Sequence, residues 1–283
     1  MVNILTDSCA DLGTELLVRY NIFSIPLTVV IAEKTYRDGI DINTAQLFEE
    51  VSRTGKLPKT SAPSVAEFTD FFKSIPGDHI LITIGSKLSA TYQNASLAAQ
   101  EITDRKIRII DSANLSTGIG LLAIKAAILR DQGKAIDEIE QRIKEMVPLV
   151  RTSFVIDTLE YLYMGGRCSA MQNIVGSLLK IRPVIEVRPD GTLGIKGKIR
   201  GSRQKALDYM LEDFRSNLAE IDLQHVFITH CMSEDYLYLR DGLLEIAPIG
   251  EILITQAGAT ISSHCGPNTI GILYMKKSQT EIA

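Results

Sequence analysis

Two α/β domains are predicted for this chain, the first with a mainly parallel sheet and the second with a mixed one. Three observations carry the prediction. Short runs rich in β-branched residues alternate with helical stretches through the first half, the order that gives parallel strands covered by helices. The texture changes near residue 160, where a Gly-Gly break precedes a β-hairpin pattern. A length of 283 residues suits two domains of common size, or one large one. The divide is therefore placed between residues 1–160 and 161–283.

In chain order, "VNILTD", "FSIPLTVVI", "HILITIG" and "KIRIID" read as strands. Asn43 caps a helix through "NTAQLFEEVSR". Ser64 and Glu67 have capping-box spacing, so a helix starts at Ser64 in "SVAEFTDFF". "STGIGLLAIKAAILRDQG" and "AIDEIEQRIKEMV" form a helical pair split by Gly133, and the apolar centre of the first reads as a buried helix. Beyond 160, "IRPVIEVRPDGTLGIKGKIRG" reads as strand, Asp-Gly turn, strand. There follow a helix ("SRQKALDYMLEDFRSNL"), a strand ("HVFITHC"), a helix ("EDYLYLRDGLLEIA") and a strand ("GEILITQAG"). The last strand, "IGILYMK", comes after a glycine-rich segment, and "KKSQTEIA" reads as a frayed tail.

Composition narrows the function classes. Hydrophobic residues make up 45% and charged residues 23%, a globular balance. A formal net charge of −4 provides no global field for nucleic acid. The start, "MVNILTDSCADL", lacks the basic, apolar and cleavage regions of a secretory signal. No stretch approaches the roughly eighteen apolar residues a membrane helix needs. Cys9, Cys168, Cys231 and Cys265 lie far apart and form no CxxC pair, so a zinc or thioredoxin-like site lacks its usual spacing. Unpaired cysteines fit a reducing cytoplasm. The expectation is a cytoplasmic chain, monomeric by default, with neither metal nor cofactor.

The polar residues collect in loops just past strand ends, where open α/β sheets bind ligands. In "TDSCADL", Thr6, Asp7 and Ser8 either bond a ligand or tie the turn, and the structural role is favoured. Thr60 and Ser61 precede a proline in "KTSAPS". Ser86 and Ser89 lead into a helix near Thr91 in "GSKLSATYQNA", and a helix N-terminus suits an anion. "GATISSHCGPNTIG" sets His264 between small hydroxylic residues and a Gly-Pro turn, a pattern of neither a packed core helix nor an ordinary loop. That histidine suits metal ligation, base catalysis or a hydrogen bond to a bound anion, with a turn-capping role as the plain alternative.

Several chemistries are disfavoured. The phosphate-cradling GxxxxGK[ST] is absent. Gly118-x-Gly120-x-x-Ala123 lies too far past Asp111 for a dinucleotide turn, and close helix packing explains its glycines better. No serine sits in a GxSxG elbow, and His264 has no orienting carboxylate nearby in sequence, which counts against a serine hydrolase. His79, His225 and His230 look like strand residues with no carboxylate cluster, which counts against metal hydrolysis.

Six segments in order, "TDSCADL", "TSAPS", "KLSATYQNA", "DSANLSTGIG", "YLYMGGRCS" and "GATISSHCGPNTIG", span residues 3–275 and resemble the signature set of the DegV family. Any one is weak; six in order are specific. The resemblance implies a DegV-like fold, two α/β domains with a long-chain fatty acid in the cleft between them, and no turnover. It implies a carrier that presents the acyl carboxylate to a separate fatty acid kinase subunit, then takes acyl phosphate towards phospholipid synthesis. By position, the carboxylate site falls on Thr60 and Ser61, on Ser89 with the backbone of Ala90, and on His264. Ala90 stands where the family usually has glycine, which bears on how closely the backbone approaches the head group. Asn268 stands where its pattern reads Gly-Pro-Gly, a milder change because asparagine tolerates the left-handed conformation. The other readings are a serine/histidine acyl hydrolase or acyltransferase using Ser89 or Ser61 with His264, and a binder of another amphipathic carboxylate.

A second surface is basic. "KGKIRGSRQK", 196–205, holds Lys196, Lys198, Arg200, Arg203 and Lys205 with no acid among them. A solvated hairpin and helix start is the plain explanation. The resemblance implies instead that Arg167, Arg200 and Arg203 dock the kinase or engage phosphate, for which the planar guanidinium is suited. Transient contact with an anionic membrane is compatible with the same charges.

Overall fold

The protein is described by a computed structural model covering residues 2–167 and 181–278. Its first sheet is four-stranded and wholly parallel, in the order β2-β1-β6-β7: β2 Ile22–Ile25, β1 Val2–Asp7, β6 Asp78–Thr83 and β7 Ile107–Asp111. Both faces of its central strands are covered, and Ile4, Leu5, Ile80, Leu81 and Ile82 are wholly buried. Near-continuous apolar runs are what such strands require.

The second sheet is six-stranded and mixed, in the order β10-β9-β8-β13-β11-β12. Its members are β8 Val150–Val155, β9 Ile181–Val187, β10 Leu193–Arg200, β11 Ile221–His230, β12 Glu251–Gln256 and β13 Ile270–Lys276. Helices α8 Arg203–Ser216 and α9 Tyr236–Ile246 pack with Val155, Ile228, Ile270 and Ile272 in one apolar cluster. The hairpin between β9 and β10 turns at Asp190-Gly191, where Gly191 has φ +80°, as the Asp-Gly dipeptide predicts.

The divide at 160 is corrected. β8 precedes that residue yet pairs with β9 and β13, so the change of sheet comes at Val150. The two sheets also share a core. Helix α5, Thr117–Asp131, lies between them and is buried on nearly every side. One apolar cluster runs from Ile4, Ile80 and Ile110 of the first sheet to Phe154, Ile185, Phe227 and Leu273 of the second. Lys125 escapes this core by reaching Asp222 and Gln224 at 2.7 and 2.8 Å.

Two further expectations change. "FSIPLTVVI" is two strands, because Pro26 has no N–H with which to continue the ladder. After it, β3 Thr28–Ile31 pairs with β4 Lys34–Arg37 and with β5 Lys59–Ser61 in a small antiparallel sheet. The "KTSAPS" segment is therefore partly strand. The histidine segment is not a loop but α10, Ala259–Cys265, a helix buried along almost its whole length. Most of its own side chains are small or polar, which hides it from an apolar-periodicity reading, and they are satisfied inside: Ser262 Oγ donates to Cys231 Sγ and Ser263 Oγ to the helix backbone at Ala259.

The N-terminus of α10 is held by two buried carboxylates. Gly258 N–H donates to Asp11 Oδ1 at 2.8 Å and Ala259 N–H to Asp38 Oδ1 at 2.7 Å. The other oxygens of the same acids accept from Ser116 Oγ at 2.6 Å and Ser8 Oγ at 2.9 Å. The expected capping box at Ser64/Glu67 starts α3 Val65–Ser74, and Asn43 caps α2 Thr44–Thr54 as expected, where Gln46 completes a second box. Among the described residues no helix is long and apolar enough to cross a membrane. Cys168 and residues 279–283 of the tail lie outside the described residues.

The glycines of "GIG" are packing glycines. A Cβ on Gly118 would stand 2.3 Å from Asn114 Oδ1 and 2.9 Å from Thr152 Oγ1. Gly118→Ala should cost about 1–3 kcal/mol, the usual penalty of overpacking, measured as a lower urea midpoint at unchanged slope.

Candidate functional site

Helical spacing on α10 sorts its side chains onto two neighbouring tracks. Thr260 and His264, four residues apart, lie on one; Ile261 and Cys265 lie on the next. A cavity of about 40 Å³ lies against both. Its polar side is formed by Thr60, Ser89, Arg167, Thr260 and His264. Its remaining wall is aliphatic, drawn from Leu27, Ile84, Leu88, Leu115, Leu162 and Leu193. A second cavity, of about 20 Å³, shares Leu115, Ile261 and Cys265 with the first and ends on the mixed sheet at Phe154, Gly271 and Leu273. Threonines also border it, but their hydroxyls are engaged in the protein. Thr152 donates to Asn114 Oδ1 at 2.7 Å, Thr269 to Cys265 O at 2.9 Å, and Thr229 shares bonds with Thr117 and Thr255 at 2.6 and 3.0 Å. The space beyond the polar cluster is thus apolar.

His264 decides the electrostatics. Its Nε2 lies 2.8 Å from Thr60 Oγ1. Burial, reinforced by the nearby Arg167 guanidinium, pushes its pKa down to about 4, so the ring is neutral at pH 7. Among the described residues Nδ1 has no hydrogen-bond partner, and it faces Gly165, where a Cβ would come within 2.2 Å of it. The first glycine of the Gly-Gly break therefore lets the imidazole lie flat on the backbone just after α7, Glu160–Met164. Thr260 adds a buried hydroxyl without a well-formed hydrogen bond. Burial raises the neighbouring Asp38 carboxyl, against the opposing pull of the Thr260 and Ser8 hydroxyls.

The residues singled out by sequence are placed unevenly. Thr60, Ser89 and His264 border the first cavity. Ser89 Oγ also lies 2.8 Å from Thr91 Oγ1, at the start of α4 Thr91–Gln100. Ser61 does not reach the cavity: it follows Thr60 on strand β5, the pleat turns it to the other face, and it is exposed. Ala90 is the exposed N-cap of α4 and contributes no wall. Arg167, expected on a docking surface, lines the cavity, with its guanidinium anchored on Leu88 O at 3.0 Å and on Gly165 O. Arg203 is engaged internally by Asp157 at 2.9 Å, Ser233 at 3.1 Å, Asp235 and Asn268 O, so its fork ties α8 to neighbouring loops. Arg200 is exposed on the edge strand β10. Asn268 adopts the left-handed conformation, φ +58°.

Sequence reasoning missed Thr260, Ile261 and the inward turn of Arg167. The i, i+4 spacing of Thr260/His264 and Ile261/Cys265 was the available signal, legible once the segment is read as a helix. Of the "TDSCADL" acids, Asp7 serves the turn while Asp11 reaches α10. Asp7 accepts from Cys9 N–H and Ile84 N–H at 3.0 and 2.8 Å, and burial raises its pKa to about 6. A wider groove of about 520 Å³ opens beside Asp7, Asp38 and Gly258, at the other end of α10. Thr6, Asp7 and Ser8 border it, whereas Thr60, Ser89 and His264 do not, and its buried acids Asp7, Asp11 and Asp38 are already bonded.

Comparison with known proteins fits this geometry. The model described as "Uncharacterised protein, DegV family" matches residues 1–277. The chain belongs to the DegV family. A DegV domain-containing protein of Caldanaerobacter subterraneus subsp. tengcongensis is 33% identical, over 98% of this chain and 99% of its own. A solved DegV family protein of Thermus thermophilus, described by its fatty acid binding, superposes with TM-score 0.89 at 29% identity, covering 98% of this chain and 99% of the other. A stearic acid-binding protein of Eubacterium ventriosum superposes with TM-score 0.85 at 26% identity, covering 99% and 100%.

The buried imidazole of this DegV protein has a pH signature. Its folded value of about 4 lies below the ordinary 6.5, so the unfolded chain takes up the proton first as pH falls. Its stabilising contribution is fully present above pH 6.5 and drains away as pH falls towards 4. Urea unfolding should show a loss of about 1–3 kcal/mol across that window, absent in His264→Ala. Asp7, whose value is raised, slopes the opposite way in both proteins, so the difference between the two curves isolates His264.

Proposed function

We propose that this protein binds a long-chain fatty acid, with the carboxylate at the Thr60–His264 end and the tail in the apolar space beyond, and that it performs no turnover of its own. One observation carries the reading: hydroxyls, a neutral imidazole and the Arg167 guanidinium gather on one side of a cavity whose remaining wall is aliphatic, and a second cavity, whose bordering threonine hydroxyls are already bonded, adjoins it across Leu115, Ile261 and Cys265. The fatty acid binding of the Thermus thermophilus and Eubacterium ventriosum proteins supports it.

The two ends contribute unequally. Each buried methylene is worth about 0.8 kcal/mol, so a tail of roughly sixteen carbons offers on the order of 10 kcal/mol gross. Each hydrogen bond to the charged head contributes about 1.5–3 kcal/mol net. The tail sets affinity and the head sets orientation. With its proton on Nε2, His264 donates to Thr60 Oγ1 and leaves the Thr60 hydroxyl proton for the carboxylate. Arg167 supplies the positive charge. A full-length tail makes one slot of the two cavities, so Leu115, Ile261 and Cys265, which border both, move apart as it enters.

The hydrolase reading has less support. Among the described residues His264 Nδ1 meets no carboxylate, Ser61 faces away, and Ser89 shares its hydroxyl with Thr91 rather than with the imidazole. Presentation of the carboxylate to a separate fatty acid kinase, which would return acyl phosphate for phospholipid synthesis, suits a head group held near the surface by Arg167. The exposed Arg200, with the exposed Lys198 and Lys205, offers the docking charge. Exposed Tyr163 and Met164 on α7, close to Arg167 in the chain, suit exchange with an anionic membrane. The buried free thiols Cys9, Cys231 and Cys265 suit the cytoplasm.

Gentle extraction and mass spectrometry of the purified protein should find a free fatty acid; a different carboxylate, or ester turnover, overturns the proposal. His264→Ala should weaken fatty acid binding by up to about tenfold, the worth of its neutral hydrogen bond to Thr60, in a titration with labelled acid. Phosphorylation by a bacterial fatty acid kinase subunit should fall much further. Arg200→Glu should lower that phosphorylation at unchanged lipid affinity, and unchanged turnover removes Arg200 from the docking surface.

A further inference from the structure

The far end of the slot is closed by a sheet rather than by loops. Thr152 and Phe154 of β8, Gly271 and Leu273 of β13, and Thr229 of β11 all border the second cavity. Their alternate numbering places them on one face of three hydrogen-bonded strands. The opposite face of the same strands is sealed by the cluster containing Val155, Ile228, Ile270, Ile272 and the helices α8 and α9. No chain passes through a paired sheet whose other side is a packed core. The slot is therefore blind, with a floor fixed by secondary structure.

On that floor Gly271 contributes no side chain, and it is the Cα partner of Phe154 across the β8–β13 ladder. Phe154, 4% exposed, is the largest side chain bordering the cavity. Leu273, two residues along β13 from Gly271, is the next bulky group there. We propose that Phe154 is the residue that sets the longest acyl chain this protein accepts. The inference rests on the fatty acid reading above and adds its specificity: the ligand is an acid whose methyl end stops at the Phe154 ring. A chain longer than the slot leaves methylenes in water or pushes the head group off the Thr60–His264 cluster.

The test is a series of saturated acids of increasing length, titrated into wild type and Phe154→Ala. In wild type, affinity should tighten about fourfold per added methylene until the floor is reached, then level or fall. In Phe154→Ala that break should move to acids at least two carbons longer, and the first acids past the wild-type break should gain up to about fifteenfold. Phe154→Leu, which keeps an apolar side chain and is the safer variant for folding, should move the break in the same direction by less. Phe72→Ala, in a cluster apart from the slot, should lower stability without moving the break. A break at the same length in wild type and both Phe154 variants overturns the assignment while leaving fatty acid binding intact. Failure of every acid to bind wild type overturns the fatty acid reading itself, and the length limit with it.

Discussion

The grip of two buried carboxylates on one short helix is the constraint on which the site depends. A seven-residue helix has little stability of its own. Asp11 and Asp38 hold its first turn through main-chain N–H groups, and negative charge at a helix N-terminus is favourable. Taking carboxylates out of water is costly, and burial raises the pKa of both. The hydroxyls of Ser116 and Ser8 offset part of that cost by satisfying the remaining oxygens. Asp11 lies in the loop after β1 and Asp38 follows β4, so the first half of the chain fixes a helix supplied by the second.

That arrangement turns α10 into the axis of the site. Its Thr260 and His264 meet Thr60, Ser89 and Arg167, while its Ile261 and Cys265 meet the aliphatic wall. A single rigid element thus sets the polar end and the apolar neck at a fixed spacing. The neutral state of His264 follows from the same burial. The positive charge beside the cavity is that of Arg167, and the uncharged imidazole stands as a dipole beside Thr60.

Much of this was legible in the sequence. The βα alternation gave the parallel sheet, the Asp-Gly hairpin gave the mixed one, and the Asn43 cap and the Ser64/Glu67 capping box lie where they were expected. The apolar stretch around Lys125 is the central helix. What was hidden has physical causes. Pro26 divides a run that is otherwise uniform in β propensity, so a single proline decides between one strand and two. Four of the seven α10 residues are threonine, serine or histidine, so it lacks the apolar period that announces a core helix although it is buried. Ser61 and Thr60 are adjacent and chemically alike, and only the strand pleat separates their fates. Arg203 and Arg167 look equivalent in sequence; one is enclosed by internal acceptors and the other turns to the cavity, a difference set by residues distant in the chain.

The shared core around α5 limits how the molecule can move. Hinged halves that swing apart need a seam of polar contacts that water can enter, whereas here Ile4, Ile110, Phe154 and Phe227 belong to one apolar body. Opening such a body as a clamshell would wet its centre. On the proposed reading, a fatty acid would come and go through side-chain rearrangement at the rim, with the shared core left closed.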